Sequence, residues 1–425
     1  MRCQDQGLNS SSADSTNQST GEPASLRART SKGGTTLDGR MTGELQTIQA
    51  LRAIAATSVV LYHIPFIGRG AFGVDVFFVI SGFIICYISS LNSENFLLKR
   101  IFRIVPLYWL GTLGVLLIAI VMPALLNSTT VNLDSLVKSL LFIPYRRVDG
   151  TSFPLLFLGW TLEYEMFFYL LFGLSLAVFK KRASLAASAA FMGLVAAGTA
   201  FRASSTIPRF YSNPLILEFV FGMAAFAIWK RYRNSFPRFP LAAAFLVSAG
   251  CYAFLYVSSD WVDRSNRLLL EGLPAVILVL CFLTLEGRAR FSKWLLIVGD
   301  ASYSLYLFHP YVIQLVDKKI VALSVLTPLS LAASVGAILA CFLLAILSFR
   351  VVELPSNRFL RRNFLNARPR VTNTRDRESA DAGSLARLSP ALEDGSLVTS
   401  SLASVSLPLA DRDSIGQATQ VAESE

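Results

Sequence analysis

Between residues 45 and 365 the chain alternates long apolar runs with short polar breaks. Ten runs are long enough, or nearly so, to cross a hydrocarbon layer of ~30 Å at ~1.5 Å rise per residue. They cover about 47–64, 72–90, 104–126, 157–179, 184–203, 214–229, 239–257, 267–285, 294–315 and 320–349. This pattern predicts an all-α, polytopic membrane protein of about ten transmembrane helices. The flanks differ. Residues 1–44 are rich in Ser, Thr, Gly and Gln, and residues 366–425 in Ser, Ala, Arg and Asp. Neither flank has a sustained apolar period, so both read as disordered polar tails around a transmembrane domain at 45–365. The first flank contains no apolar core of the signal-peptide kind.

Composition sharpens this picture. Hydrophobic residues make up 53% of the chain and charged residues 16%, against about 25% charged in an average soluble domain. Residues 45–365 hold 28 Lys/Arg but 14 Asp/Glu, while the two tails together are net acidic. The basic excess therefore sits in loops between apolar runs and not in a nucleic-acid-binding patch or arm. It sets orientation instead. With the N-terminus in the cytoplasm, seventeen basic residues fall in inner loops and ten in outer ones, so both termini are expected to be cytoplasmic. Cys86, Cys251, Cys281 and Cys341 each lie inside an apolar run and read as packing residues. His63 and His309 are the two histidines of the chain, too few for a histidine-rich metal site, and no metal is expected.

Ionisable residues inside apolar runs are costly and point to function. In the first run Arg52 and His63 lie eleven residues apart. At ~100° per residue this is close to three turns, so both face one way, about 16 Å apart. Alternatively, Arg52 reaches to lipid headgroups and His63 is interfacial. The loop PFIGRGA turns the chain back, and Asp75 enters at about the depth at which His63 left. A carboxylate there would fix the imidazole tautomer and raise its basicity. The competing reading has Asp75 capping its own helix or pairing with Arg69. Gly73, Ser81 and Gly82 permit close helix approach, as does Gly222 one turn after Glu218. Arg100 and Arg103 share a helix face and suit a phosphorylated ligand, although anchoring to headgroups explains the same spacing. Glu163 and Glu165 diverge by ~200°, so one faces the interior and the other reaches towards the interface. Glu218 and Glu271 also lie in outer halves, as does His309. The G-x-S-x-G and G-x-x-x-x-G-K-[ST] signatures are missing.

The segments IQALRAIAATSVVLYH, GVDVFFVISGFII, KRIFRIVPLYW, GWTLEYEMFFY, NPLILEFVFG, SYSLYLFHP and VVELP occur in this order. Together they resemble the bacterial acyltransferase-3 family of membrane O-acyltransferases, and the opening resembles its exopolysaccharide-acetylating branch. The resemblance implies a ten-helix core in the bacterial cytoplasmic (inner) membrane. It also implies an acyl-CoA donor, most simply acetyl-CoA, with no bound cofactor. The implied acceptor is a hydroxyl of a polysaccharide or lipid-linked saccharide, with membrane lipids as the other partners and no nucleic acid. Family residues fall on Arg52, His63, Asp75, Arg100, Arg103, Glu165 and His309. The resemblance places His63, Asp75, Glu165 and His309 in catalysis and Arg52, Arg100 and Arg103 on the donor. Thr161 stands where Ser is common in the family, and Lys99 where Arg often stands. A secondary transporter of a sugar or lipid intermediate is the alternative, but it predicts internal repeats, and none is visible.

Overall fold

The computed structural model describes residues 45–122, 131–147, 149–202, 204–263 and 265–365. The tails expected at 1–44 and 366–425 lie outside these. Among the described residues the chain is helical throughout: α1 (Gln46–Tyr62), α2 (Gly73–Leu91), α3 (Phe96–Val121), α4 (Leu133–Leu140), α5 (Gly159–Phe179), α6 (Ala183–Ala200), α7 (Thr206–Tyr211), α8 (Leu217–Tyr232), α9 (Leu241–Ser258), α10 (Leu273–Thr284), α11 (Lys293–Asp300), α12 (Ser302–Lys319), α13 (Pro328–Ser348) and α14 (Leu354–Phe364).

Every apolar run contains a helix, with three departures from expectation. The run at 294–315 is broken at Ala301 into α11 and α12. Helix α3 starts at Phe96, so Lys99, Arg100 and Arg103 lie within its first turns and not before it. Helix α14, rich in arginine, carries no apolar run. Among the described residues, five helical stretches are long and apolar enough to cross a membrane: Gly73–Leu91, Phe96–Val121, Gly159–Ala200, Leu241–Trp261 and Pro328–Phe364. Helices α1 and α8 are shorter, and α12 carries more polar residues.

The lipid-facing surface is plain on α13. Leu331, Val335, Leu339, Leu343 and Leu347 repeat every four residues, and each is at least half exposed. In water such a stripe would drive association; in a bilayer it is matched to its solvent. The buried side chains form one large cluster, with a smaller one where Ala56, Val60 and Ile64 meet Leu305, Ile313 and Cys341.

Local chemistry explains several helix boundaries. Thr327 caps α13 by accepting from the Ser330 backbone N–H at 3.0 Å, and Ser330 Oγ accepts from the Thr327 N–H at 2.8 Å. No side chain of its own turn caps α1. Instead Glu286, from beyond α10, accepts from the Thr47 N–H at 3.0 Å and the Thr47 hydroxyl at 2.6 Å. Its charge complements the positive helix end. Two π-helical segments, Leu268–Gly272 and Phe349–Glu353, each run straight into a helix with proline at its second position, Pro274 and Pro355. A proline in line meets the carbonyl four residues back, and the wider π turn relieves that clash. Each segment delivers a buried carboxyl group, Glu271 and Glu353.

Helix α1 packs on α2, α11 and α12, and α2 packs on α8. The α2–α8 crossing is backbone to backbone. A Cβ at Gly82 would sit 2.1 Å from the Phe219 carbonyl oxygen, and one at Gly222 would sit 2.1 Å from that of Val79. Leucine at Gly222 is therefore expected to cost about 3 kcal/mol and to lower the melting temperature in detergent sharply. Leucine at Gly336, where nothing lies within 4 Å, is expected to be tolerated. Equal melting temperatures for Gly222→Leu and Gly336→Leu would contradict this crossing.

Candidate active site

Helix α1 carries both ends of the site. Arg52 points into a cavity of about 380 Å³, within the range of small-ligand pockets. Arg100 and Arg103 from α3, Ser81 and Phe77 from α2, Thr161, Glu165 and Tyr169 from α5, and Tyr303 and Tyr306 from α12 also line it. Four helices thus join α1 in bringing together all three arginines expected on the donor and the expected glutamate.

The arginines in this cavity are short of counter-charge. Arg52 donates to Gln49 Oε1 at 3.3 Å. Arg100 is 4% exposed, and its Nε has no hydrogen-bond partner among the described residues. Arg103 is close enough to Arg52 and Arg100 for their charges to repel, and Arg361 of α14 adds a further cation beside Arg103. No carboxylate lies within ion-pair distance of these four side chains among the described residues. Glu165 and Glu353 are their nearest opposite charges. Glu165 is occupied by the hydroxyls of Ser81, at 3.0 Å, and Tyr169, and Glu353 accepts from Ser304 at 2.8 Å. Such a converging set of cations in a concave, half-buried place suits a polyanion.

Eleven residues along α1, His63 meets His309. His63 Nδ1 lies 2.9 Å from the Val59 carbonyl and 3.1 Å from His309 Nε2. His309 Nδ1 lies 3.0 Å from the Leu305 carbonyl. A carbonyl only accepts, so each Nδ1 carries its ring's proton. His309 Nε2 is then a lone pair facing the His63 Nδ1–H, and His63 Nε2 is the free basic nitrogen. His309 is 1% exposed, whereas His63 is half-buried. A proton taken by His63 Nε2 creates an imidazolium whose other N–H is already held by His309 and Val59.

The expected Asp75–His63 pair is therefore replaced. Asp75 is fully buried, and both its oxygens accept from Arg267, Nε to Oδ1 at 2.8 Å and Nη2 to Oδ2 at 2.8 Å. Arg267 Nε also stands 3.0 Å from Glu271, and Glu218 adjoins the group. The reason is geometric and electrostatic: a guanidinium fork satisfies a desolvated carboxylate at two points, and an imidazole at one. Arg69, the other partner considered for Asp75, pairs with Asp260. Glu163 and Glu165 do face different ways. Glu163 is fully buried with no hydrogen-bond partner among the described residues, and Glu165 lines the cavity.

Several site residues escaped sequence reasoning. Arg267 read as a loop charge, although its i,i+4 relation to Glu271 marks a helical ion pair. Tyr169 likewise follows Glu165 by four. Gln49 and Tyr306 carry no such signal, because cavity walls assembled from distant helices leave none.

The Asp75–Arg267 pair has a measurable consequence. Asp75→Asn and Arg267→Gln are each expected to destabilise the fold by about 3–5 kcal/mol. The double variant should lose less than the sum in detergent melting. An Asp75→Asn protein of unchanged stability with an altered pH–rate profile would instead return the carboxylate to the histidine.

Comparison with known proteins gives the family. The family model described as an acyltransferase domain, acyltransferase 3, matches residues 45–347. The exopolysaccharide production protein ExoZ of Rhizobium meliloti is 37% identical over 295 residues, covering 67% of this chain and 89% of the relative. The peptidoglycan O-acetyltransferase OatA of Listeria monocytogenes is 28% identical over 351 residues, 73% of this chain and 55% of that one. A putative peptidoglycan O-acetyltransferase of Bacillus subtilis, YrhL, is 28% identical over 313 residues, 63% and 48% respectively. The chain thus spans about half the length of these two O-acetyltransferases. No solved structure matches. The chain belongs to the acyltransferase-3 family and is a multi-pass membrane O-acyltransferase.

Proposed function

We propose that the protein moves an acetyl group from cytoplasmic acetyl-CoA to a hydroxyl of an exported or cell-surface polysaccharide, across a bacterial inner membrane spanned by about ten helices. The observation that carries this reading is the layout along α1. Arg52 joins Arg100 and Arg103 at the donor cavity, and His63, hydrogen-bonded to His309, follows about 16 Å further on. On this reading the arginines hold the phosphates of CoA at the inner face, where the basic loops also collect. The pantetheine arm then runs up the cavity towards the histidines. The similarity to an exopolysaccharide production protein supports a polysaccharide acceptor.

The chemistry follows from the tautomers. His63 Nε2 takes the proton of the acceptor hydroxyl, and the oxygen attacks the thioester carbonyl. The C–S bond then breaks, and the departing sulfur takes the proton back from His63, leaving ester and free CoA. His309 holds the His63 ring and delocalises the transient positive charge. Glu165, fixed by Ser81 and Tyr169, sets the polarity of the cavity wall. Asp75, through Arg267, positions the outer ends of α2 and α10.

Deleting the gene is expected to remove O-acetyl groups from the surface polysaccharide, read by proton NMR. The wild-type gene should restore them and His63→Ala should not; full restoration by His63→Ala would remove the base from this scheme. In inverted vesicles, Arg100→Ala with Arg103→Ala is expected to raise KM for acetyl-CoA at least about tenfold, since a hydrogen bond to a charged group is worth about 1.5–3 kcal/mol. An unchanged KM would place the donor elsewhere.

A further inference from the structure

The donor cavity does not reach the histidines. Neither His63 nor His309 lines it, and what stands between is aromatic. Tyr306 of α12 forms the cavity wall one turn before His309, with ring centroids 6.2 Å apart. Phe77 of α2 also lines the cavity, edge-on to Tyr306 at 6.1 Å, and it packs against both hydrophobic clusters. A hydrogen bond latches the ring in place. Tyr306 OH and Thr161 Oγ1 are 2.9 Å apart, both buried. Thr161 donates its own proton to the Leu158 carbonyl at 3.0 Å. Its oxygen therefore accepts from Tyr306, and the latch ties α12 to α5 across the top of the cavity.

We propose that Tyr306 is a movable partition between the donor cavity and the histidine pair, latched by Thr161, which the acyl end of the donor must displace to react. The inference rests on the donor reading given above. A thioester stored below His63 needs such a barrier. His63 is half-buried, and on the reading given above its open side faces the acceptor, so water reaches it between turnovers. If water meets the thioester there, its oxygen adds to the carbonyl, the C–S bond breaks and the sulfur takes a proton, giving acetate and CoA with no acceptor modified. A closed Tyr306 ring keeps the two apart. The opening cost is small: one neutral hydrogen bond is worth about 0.5–1.5 kcal/mol net. Rotation of one side chain also needs no helix movement. Tyr306 is a positioning residue in this scheme, since His63 and the donor do the chemistry.

The test measures acetyl-CoA hydrolysis in proteoliposomes without acceptor, beside transfer with acceptor. Tyr306→Ala is expected to raise acceptor-independent hydrolysis at least about tenfold over wild type while lowering transfer. Adding His63→Ala should abolish that extra hydrolysis. Tyr306→Phe removes only the latch, and Thr161→Val removes the latch together with the bond to the Leu158 carbonyl. They carry the test if Tyr306→Ala does not fold, and both should raise acceptor-independent hydrolysis about two- to tenfold. A merely structural tyrosine would lower hydrolysis and transfer together. Wild-type hydrolysis rates in both latch variants, with transfer intact, would overturn the partition. A wild-type protein that never consumes acetyl-CoA would overturn the donor reading itself, so the two failures are distinct.

Discussion

An ionisable side chain within apolar helices must find its partner inside the protein or face a cavity, because lipid supplies neither hydrogen bonds nor counter-charge. The packing of this chain follows from that constraint. Asp75 and Arg267 tie α2 to the π segment preceding α10. Glu165 draws Ser81 of α2 to α5, and Ser304 of α12 meets Glu353 beyond α13. Glu286 holds the start of α1 through its free N–H groups. Each tie joins segments far apart in sequence. Glu163 is buried without a hydrogen-bond partner among the described residues, and the arginines of the cavity have no ion-pair partner among them, so compensation for the arginines must come from water or from an anionic ligand.

On the proposed reading, a donor site and a base on one helix solve a transfer problem that a soluble enzyme does not meet. On the proposed orientation, donor and acceptor belong to different compartments, and the reacting atoms meet where neither bulk phase enters freely. Helix α1 sets the separation of Arg52 and His63 at about 16 Å, and on that reading the extended arm of the donor spans it. The histidine pair suits this position. An Asp–His dyad would leave a formal negative charge beside the acceptor mouth, whereas two neutral imidazoles bring basicity without a resident charge in a poorly solvated place.

Much of this was legible in the sequence. The eleven-residue interval from Arg52 to His63, the Arg100–Arg103 pair and the Gly82 and Gly222 contacts are local properties of helices, and helical periodicity determines them. The seven ordered motifs carried the family. Partner choice was not legible. Asp75 and His63 enter the membrane at matched depth, yet depth says nothing of azimuth, and Arg267 comes from a segment nearly two hundred residues away. The break at Ala301 was hidden because 294–315 is apolar on both sides of it. The π segments were foreshadowed by Glu-Gly-Leu-Pro and Glu-Leu-Pro, where proline follows an apolar helical run with no loop signal.

On the proposed orientation, the arginine cavity and the histidine pair open to opposite faces of one membrane. Reconstitution in proteoliposomes of sorted orientation tests it directly, with membrane-impermeant acetyl-CoA on one side and a soluble polysaccharide acceptor on the other. The account predicts acetylated acceptor only when the donor is on the side of Arg100 and Arg103 and the acceptor on the side of His63. Equal transfer with donor and acceptor both confined to the histidine side would contradict it.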